Sequence, residues 1–451
     1  MTSEQRASDL LARIAALPRL DGYQAVTLTP DFDPRRLLDD PAAHGVVASY
    51  ERPERGLALV GVGVADRIDV TPGRGPASVR DEVREMLDGE VRGDAPGMRP
   101  RLLGGFRFNP GAAVEEPWNA FGAGWLVLPR LLFVIDGEST GIVMAPGEDP
   151  REAARLAGRM AADITPEDAP AGRGAALDVE QPINRTRWLD SVERIATQVR
   201  EGAYEKAVLA STQRLAAPGA AIPVGAALAR LRANYPNCHL FTMASGDSTF
   251  LGASPELLVS LTDGRVHALG LAGSLRRGET PEEDERLGEQ LLASAKDRIE
   301  HETVVRAIRE RLAPATDELH APNAPRLRKL RNIQHLSTDI TGHVRAGVDV
   351  LDLVQRLHPT PAVCGWPTEV ARDVIEAHED FDRGWYAGPV GWVDATGDGE
   401  FAVALRSAVV RGGHAWLFAG NGIMGDSDPE SELAEVQLKY RPLTEALGAA
   451  R

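Results

Sequence analysis

Strand patterns that turn back on themselves recur along the chain, and they constrain its fold more than any other feature of the sequence. Residues 401–420, FAVALRSAVVRGGHAWLFAG, predict a β-hairpin that turns at two adjacent glycines. Residues 57–70 alternate like a strand pair, and residues 125–137 predict strands broken at Pro129. Helical patterns lie in separate stretches. Hairpins combined with separate helices favour an α+β fold over a regular βαβ repeat.

The helical patterns and one proline-rich segment suggest how the chain is organised. Residues 151–164 and 186–202 predict helices on either side of residues 166–176, PEDAPAGRGAA. This segment is rich in proline, glycine and alanine, so it is the best linker candidate. A long helix is predicted over roughly residues 283–312. With 451 residues, the chain is long enough for one large domain or about two to three average ones.

The composition excludes several classes of protein. A net charge of −16 argues against a general attraction to nucleic acid or to an anionic membrane. The two cysteines, Cys238 and Cys364, provide neither a disulfide framework nor a zinc cluster, and they fit a reducing compartment. The first residues, MTSEQRASDL, lack an apolar signal core, and no apolar run reaches the ~18 residues of a membrane span. We therefore expect a soluble cytoplasmic protein.

A glycine-rich turn that leads into a charged helix gives the clearest functional signal, within residues 417–440. Residues 427–429, SDP, predict a capped helix start with proline in the first turn. Spacings of three and four place Glu432, Glu435 and Lys439 on one helical face. The backbone N–H groups of such a start can receive an anion, and carboxylates can hold a hard divalent cation. This pattern suggests a small carboxylate substrate bound through magnesium.

Three other polar positions have both a chemical and an ordinary explanation. Lys206 lies in an apolar strand-like run, where a lysine is usually an edge residue. Glu256 follows a proline between apolar residues; burial would raise its pKa, although a strand-end glutamate facing water is equally consistent. Glu300 shares a helical face with Asp297, and such faces are usually solvated. None of these residues establishes a site by itself.

Taken together, the motifs resemble those of the chorismate-utilising enzymes. Eight stretches follow the order and approximate spacing of that superfamily: EKAVLAS, LGASPELL, LAGSLRRG, SAKDRIEHE, LHPTPAVCG, FDRGWYAGPVGW, LRSAV and LFAGNGI with SELAEVQLK. The resemblance covers roughly residues 185–445. A weaker similarity, GGFRFNP at 104–110 and LVLPRLLF at 126–133, extends it into the N-terminal part.

The resemblance implies an α+β fold of two antiparallel β-sheets packed face to face, with helices outside. This is the fold of anthranilate synthase component I and its relatives. Residues 1–180 would supply sheet and core, and residues 181–451 would form the chorismate-binding catalytic half. The candidate linker would then separate two sequence halves of one structural domain.

Within the superfamily, the chain is most similar to the isochorismate synthases, which are isomerases. The ammonia-using members lack a lysine where this chain has Lys206, and water needs a positioned base whereas ammonia does not. Salicylate synthases typically carry threonine where this chain has Ala362, so alanine suggests that the reaction stops at isochorismate. A salicylate synthase, an ammonia-using synthase and a non-catalytic chorismate-binding subunit remain as alternatives.

The resemblance also implies roles for the charged residues. Glu300 and Glu435 would hold Mg²⁺, which binds the ring carboxylate of chorismate. Asp297 and Glu432 would support these ligands from the second shell. Lys206 would deprotonate the attacking water and Glu256 would protonate the departing C4 hydroxyl. Lys206 must be neutral to act as a base, so its pKa must be lowered. Glu256 must keep its proton to act as an acid, so its pKa must be raised.

The remaining predicted residues contact the substrate. Arg406 would meet the enolpyruvyl carboxylate, with Tyr386 and the backbone at Gly420 nearby. Lys439 would neutralise further negative charge, and Gly273 would let the backbone approach the ring.

His301 would contact the C4 region or orient Glu300, and Ala362 would border the ring. We expect chorismate as the substrate and Mg²⁺ as the cofactor, with no nucleic acid, membrane or glutaminase partner. A monomer is expected, and the product would enter menaquinone or siderophore synthesis.

Overall fold

The computed structural model describes residues 3–29, 31–95, 97–161 and 177–448. The candidate linker at 166–176 lies outside the described residues. Among the described residues, no helix combines the length and the apolar composition that crossing a membrane would require.

Strands account for much of the described chain. They are β1 Tyr23–Leu28, β2 Val46–Arg52, β3 Leu57–Asp69, β4 Val91–Gly93, β5 Arg101–Phe106, β6 Gly124–Asp136, β7 Ser139–Met144, β8 Asp178–Gln181, β9 Lys206–Ala216, β10 His239–Ser245, β11 Ser248–Ser254, β12 Leu257–Thr262, β13 Arg265–Arg276, β14 Thr316–His320, β15 Arg326–Lys329, β16 Ile333–Val344, β17 Gly365–Trp366, β18 Pro389–Asp394, β19 Gly399–Val403, β20 Ser407–Arg411 and β21 His414–Ile423.

The helices lie between these strands in sequence. They are α1 Ser3–Ala15, α2 Pro41–His44, α3 Arg80–Leu87, α4 Pro150–Ala161, α5 Arg185–Arg200, α6 Val224–Asn234, α7 Pro281–Ala293, α8 Ala295–Leu312, α9 Val350–Leu357, α10 Thr368–His378 and α11 Pro429–Leu447.

Two antiparallel layers form the centre of the molecule, as the sequence predicts. One layer runs β5–β18–β19–β12–β13–β16, and the other runs β2–β10–β11–β20–β21–β9. The long strands β3 and β6 pair with each other and connect the layers, because β3 also pairs with β2 and β6 with β5. The two sheets are therefore continuous through hydrogen bonds along one side.

An aromatic core fills the space between the layers. Trp118 is fully buried, and its ring centroid lies 5.0 Å from that of Phe250 and 5.2 Å from that of Phe418. A second apolar core lies beneath α1, α4, α5, α6 and α11. Helices α8 and α9 pack on the layer that contains β12, β13 and β16. Strand pairs β2–β10 and β5–β18 join the two sequence halves. The predicted boundary between these halves, at residue 180, stays a prediction.

Two strand predictions were wrong in the same way. Residues 57–70 and 125–137 each form one long strand, β3 and β6, rather than a pair or a broken strand. Pro129 lies opposite Val64, and the register shifts between Val64 and Asp66. The extra residue in β3 makes a bulge where proline has no N–H to donate, so β6 continues through Pro129.

The long helix predicted over 283–312 is two helices instead. Ser294 has an extended backbone, ends α7 and begins α8. Its hydroxyl oxygen accepts a hydrogen bond from the backbone N–H of Asp297, which is a side-chain cap. A serine offers the backbone this alternative to continuous helix. The break places Asp297 and Glu300 in the first two turns of α8.

The C-terminal predictions are confirmed. Strands β20 and β21 form a hairpin in which Arg411 faces His414 across a turn, with Gly412 at a φ of +57°. Residues 401–403, which the hairpin was expected to include, belong instead to β19. The carboxylate of Asp428 accepts a hydrogen bond from the N–H of Ser431 and caps α11.

Candidate active site

One cavity between the layers collects most of the predicted site residues. All of them except Lys206 and His301 line it: Glu256, Gly273, Asp297, Glu300, Ala362, Tyr386, Arg406, Gly420, Glu432, Glu435 and Lys439. They come from β13, β21, α8, α11 and the connections that precede β12, β17, β18 and β20. Residues as far apart in the sequence as Glu256 and Lys439 therefore meet at one place.

Lys206 lies immediately behind the wall of this cavity. It is the first residue of β9 and only 1% exposed, and its Nζ donates to Oε1 of Glu300 at 2.6 Å. A side chain at Gly422 would collide with it, because a Cβ built there lies 2.4 Å from Cε of Lys206 and 2.8 Å from its Nζ. The glycine in β21 therefore gives the lysine its space.

Glu256 is a buried acid at the other side of the cavity. It is 3% exposed, and burial raises its pKa to about 8, although the charges of Lys206 and Lys439 partly oppose this. The carboxyl is consequently protonated at neutral pH. A proton donor requires a raised pKa of this kind. The burial of Glu256 also contradicts the alternative that it is a strand-end glutamate facing water.

Two glutamates are held by lysines. Burial favours a higher pKa for Glu300, but the charges of Lys206, Lys439 and Lys296 outweigh it and lower the pKa below its usual value. Glu435 pairs with Nζ of Lys439 at 2.8 Å, one helical turn along α11. Both side chains are therefore carboxylates that face cations.

The other two acids of the cavity accept hydrogen bonds from uncharged donors, and Glu432 also lies 3.6 Å from Nζ of Lys296. Glu432 accepts hydrogen bonds from the Ser427 hydroxyl at 2.7 Å and the Asn421 amide at 3.0 Å. The Ser294 hydroxyl donates to Asp297. Burial raises the pKa of Asp297 and of Glu432, and neighbouring carboxylates raise both further.

The donor chemistry fits magnesium. Asp297, Glu300, Glu432 and Glu435 supply carboxylate oxygens to one cavity, and Mg²⁺ is bound by oxygen ligands. In the described part of the chain, no three acidic, histidine or cysteine side chains are already arranged around a common metal position. Mg²⁺ takes only one or two protein carboxylates in many sites and keeps several waters, so a pair of glutamates is sufficient.

Arg406 presents an unused donor to the cavity. It is 7% exposed, and its Nη2 contacts Nε2 of His335 at 3.0 Å. Its Nη1 has no hydrogen-bond partner among the residues that the structure describes. Its backbone has a φ of +48°, a left-handed conformation that is costly for a residue with a side chain. An unpaired buried donor is also costly, so the arrangement suits an anionic ligand such as a carboxylate.

Tyr386, Lys439 and the two predicted glycines complete the walls. The ring of Tyr386 stacks on Phe418 with 5.4 Å between centroids. Nζ of Lys439 donates to the carbonyl of Gly420 at 3.0 Å, which fixes the helix to β21. Gly273 has a φ of +73°, and a Cβ there would lie 3.0 Å from Cβ of Asp297. Its lack of a side chain keeps α8 close to the cavity.

His301 does not reach this cavity. It is buried on α8, its Nε2 contacts Oγ1 of Thr338 at 2.8 Å, and it lines a neighbouring cavity instead. Burial lowers its pKa to about 4, so the imidazole is neutral. The structure thus separates His301 from the other predicted substrate contacts, and a role in orienting the adjacent Glu300 stays a prediction.

Sequence reasoning assigned no role to three residues of the site. Lys296 lines the cavity with its Nζ 3.6 Å from Oε1 of Glu432, and its spacing of four from Glu300 had placed it on the same helical face without a predicted function. Gly422 was visible as part of a glycine-rich turn. His335 lies on β16 beside Arg406, and no local pattern in the sequence distinguishes it.

Comparison with known proteins gives a consistent result. The model of the chorismate binding enzyme family matches residues 22–448. The chain is 41% identical over 362 residues to a salicylate biosynthesis isochorismate synthase of Pseudomonas aeruginosa, covering 78% of this chain and 75% of that protein. It is 36% identical over 356 residues to the isochorismate synthase MenF of Bacillus subtilis, with the same coverage of both chains. The solved structure of MenF from Escherichia coli, a menaquinone-specific isochorismate synthase, is similar with a TM-score of 0.78 and 27% identity, over 99% of this chain and all of that one.

Proposed function

The chain belongs to the chorismate binding enzyme family, and on that premise we propose that it is an isochorismate synthase, an isomerase that converts chorismate to isochorismate. The observation that carries the proposal is the pair of buried groups at one cavity, Lys206 and Glu256. Water attack on a ring carbon needs a base, and loss of a hydroxyl needs an acid. An ammonia-using enzyme of this family would not need the lysine.

Lys206 acts as the base in this proposal. Its neutral amine takes a proton from a water molecule, and the oxygen of that water forms a bond to C2 of the ring. A hydrogen bond from Nζ of Lys206 to Glu300 fixes the position of the amine at the cavity wall. A general base of this kind contributes about 10²- to 10⁴-fold to the rate.

Glu256 acts as the acid. Its protonated carboxyl gives a proton to the C4 hydroxyl, the C4–O bond breaks, and the hydroxyl leaves as water while the ring double bonds shift. One water enters and one leaves, so the product is an isomer of the substrate. The raised pKa keeps the proton available at neutral pH.

We propose that Glu300 and Glu435 hold Mg²⁺, with Asp297 and Glu432 close behind them. When bound, the ion supplies positive charge that neutralises the ring carboxylate and orients the ring. Lys296 and Lys439 keep the acidic wall compact by pairing with Glu432 and Glu435.

The enolpyruvyl carboxylate is assigned to the opposite wall. Arg406 offers the free Nη1–H, and Tyr386 and the backbone at Gly420 border the same space. Held at both carboxylates, the ring presents C2 and C4 to the two proton-transfer groups. Ala362 adds little bulk beside the ring, and we propose that the reaction stops at isochorismate.

We further propose a cytoplasmic monomer that acts without a glutaminase subunit, because its nucleophile is water. Its product would supply menaquinone or siderophore synthesis, since similar proteins include one named as menaquinone-specific and one named for salicylate biosynthesis.

Product analysis tests the proposal. Purified protein is incubated with chorismate and Mg²⁺, with and without ammonium, and the products are separated by chromatography after short and long times. Isochorismate that accumulates to an equilibrium mixture without ammonium is the expected result. Salicylate with pyruvate would assign a salicylate synthase, an amino-substituted product would reject water attack, and no turnover would favour a binding subunit.

A further inference from the structure

A buried ion pair lies behind the cavity and is not part of the mechanism above. Arg383 and Glu379 are 4% and 3% exposed in their side chains. Nε and Nη2 of Arg383 donate to the two carboxylate oxygens of Glu379, so the contact is bidentate. Replacing such a pair with apolar groups is often neutral or stabilising, so net stability is a weak explanation for it.

The pair bonds to two backbone segments of the cavity wall. Nη1 of Arg383 donates to the carbonyl of Val363 at 2.8 Å, and Nη2 donates to the carbonyl of Val208 at 2.8 Å. Oε1 of Glu379 accepts from the N–H of Ala210 at 2.7 Å. Val208 and Val363 both line the cavity.

These bonds replace a missing strand neighbour. The edge of β9 pairs with β17 at residues 206–207 and with β8 from residue 214 onward. Between these points, the N–H of Val208 donates to the carbonyl of Cys364, whereas the carbonyl of Val208 and the N–H of Ala210 bond to Arg383 and Glu379. Lys206 lies two residues before Val208 on the same strand, and Ala362 precedes Val363.

The same arginine also reaches the third side of the wall. Its guanidinium carbon lies 4.4 Å from the ring centroid of Phe108 and 6.0 Å from that of Tyr386. The carbonyl of Arg383 accepts the backbone N–H of Tyr386 at 2.8 Å. The side chain of Arg383 thus bonds to β9, which begins with Lys206, and to the loop that contains Ala362. It also lies close to the ring of Tyr386.

We propose that Arg383 and Glu379 are positioning residues that fix Lys206 relative to the ring of the substrate. The inference rests on the proposed function for the role of Lys206. Lysine cannot replace the arginine, because a single ammonium cannot make the bidentate contact and reach both carbonyls. Misplacing reacting groups by about 1 Å costs on the order of 10²-fold in rate.

The test compares Arg383→Lys with Arg232→Lys. Arg232 makes a bidentate contact with buried Glu51, at 2.7 and 3.0 Å, and neither residue lines the cavity. Both variants are assayed well below their unfolding temperatures. Arg383→Lys is expected to lower kcat about 10- to 100-fold while KM changes less than about threefold, and Arg232→Lys is expected to keep both values within about threefold. Equal kcat losses in the two variants, or an unchanged kcat in Arg383→Lys, would overturn the proposal.

A second measurement does not depend on the reaction. Amide hydrogen exchange at Ala210, whose N–H donates to Glu379, is expected to be faster in Arg383→Lys than in the wild type, and unchanged in Arg232→Lys. Glu379→Gln keeps an acceptor for Ala210 but loses the charge, so it should show a smaller effect in the same direction. Unchanged exchange at Ala210 in Arg383→Lys would contradict the proposal even if the wild type makes a different product. Product analysis of the wild type alone decides the proposed function.

Discussion

At the scale of single residues, the chemistry depends on which charges are buried and what faces them. Lys206 and Glu256 are both almost completely buried. Lys206 faces a carboxylate, whereas Glu256 has no close ion partner within the described part of the chain. The first environment holds a lysine in place, and the second keeps a carboxyl protonated. The surroundings of Glu256 therefore fit a proton donor, whereas the proposed base role of Lys206 rests on the position of its amine beside the cavity.

Replacement of the lysine tests its role as a base. Lys206→Ala is expected to lower kcat by at least about 10²-fold, because it removes the proposed base. Binding of chorismate in the presence of Mg²⁺, measured by calorimetry, should remain largely intact. Thermal denaturation is the control for folding. A variant that no longer folds would show instead that Lys206 is structural, and a variant with normal turnover would remove it from the mechanism.

The raised pKa of Glu256 predicts opposite effects on stability and activity. Between pH 4.5 and about 8 the unfolded chain ionises this carboxyl and the folded protein does not, so folding stability falls as pH rises through that range. Glu256→Gln has no carboxyl at this position to ionise, so its folding stability should not fall in this way. It should unfold at a higher temperature than the wild type at pH 7.5, show little difference near pH 4.5, and have no isomerase activity. A lower unfolding temperature at pH 7.5 would contradict the burial argument.

The same group sets the alkaline limit of the wild-type reaction. We expect kcat/KM to fall as pH rises through about 8, because the acid loses its proton there. The measurement is a pH profile of kcat/KM at saturating Mg²⁺. An unchanged kcat/KM up to pH 9.5 would mean that Glu256 does not donate the proton.

Individual residues could be predicted where a motif or a spacing carried them. The acids of α11 follow from their helical spacing, whereas Lys206 and Glu256 needed the resemblance to a family, because each has an ordinary explanation in its own segment. His335 was missed because its contact with Arg406 joins positions 71 residues apart. Such contacts are set by the packing of the layers, which local patterns do not contain.

At the scale of elements, local signals decide which predictions succeed. The start of α11 was predicted correctly because the cap at Asp428 and the proline after it act within one turn. The break at Ser294 was missed because a serine inside a helical pattern is a weak signal until its cap is seen. The continuous β6 was missed because the bulge that accommodates Pro129 lies in its partner strand.

A substitution on α11 tests the magnesium assignment. Glu435→Gln removes a charge from the proposed ligand pair, so the Mg²⁺ concentration needed for half-maximal activity should rise at least about tenfold, since one carboxylate remains. The metal affinity is also measured directly by calorimetry without substrate. Glu430→Gln serves as the matched control, because Glu430 lies on the same helix but does not line the cavity. An unchanged metal requirement in Glu435→Gln would remove Glu435 from the site.

At the scale of the whole molecule, the two sequence halves share their sheets and their core. The sequence predicts that strands exist and that many are antiparallel, but not that β3 pairs with β6 or β5 with β18. Those pairings join segments that are distant in sequence, so they follow from burial in three dimensions. The family resemblance supplied the architecture that periodicity alone did not.

The shared core predicts cooperative unfolding. Trp118 comes from the N-terminal half and packs on Phe250 and Phe418 of the C-terminal half. Trp118→Ala should destabilise the protein by about 3–5 kcal/mol, the usual cost of removing a large buried aromatic side chain. Urea denaturation followed by circular dichroism should show one transition shifted as a whole. Two separated transitions would show that residues 1–180 and 181–451 fold independently.

The measurement that tests the central claim most directly is solvent isotope labelling. Chorismate is converted by the wild-type protein and Mg²⁺ in water enriched in ¹⁸O, and the isochorismate from early turnover is analysed by mass spectrometry. The account predicts that the C2 hydroxyl carries a solvent oxygen, because Lys206 activates water, and that Lys206→Ala forms no labelled product. Isochorismate that retains the original oxygen of chorismate at C2 would contradict water attack and the role assigned to the lysine.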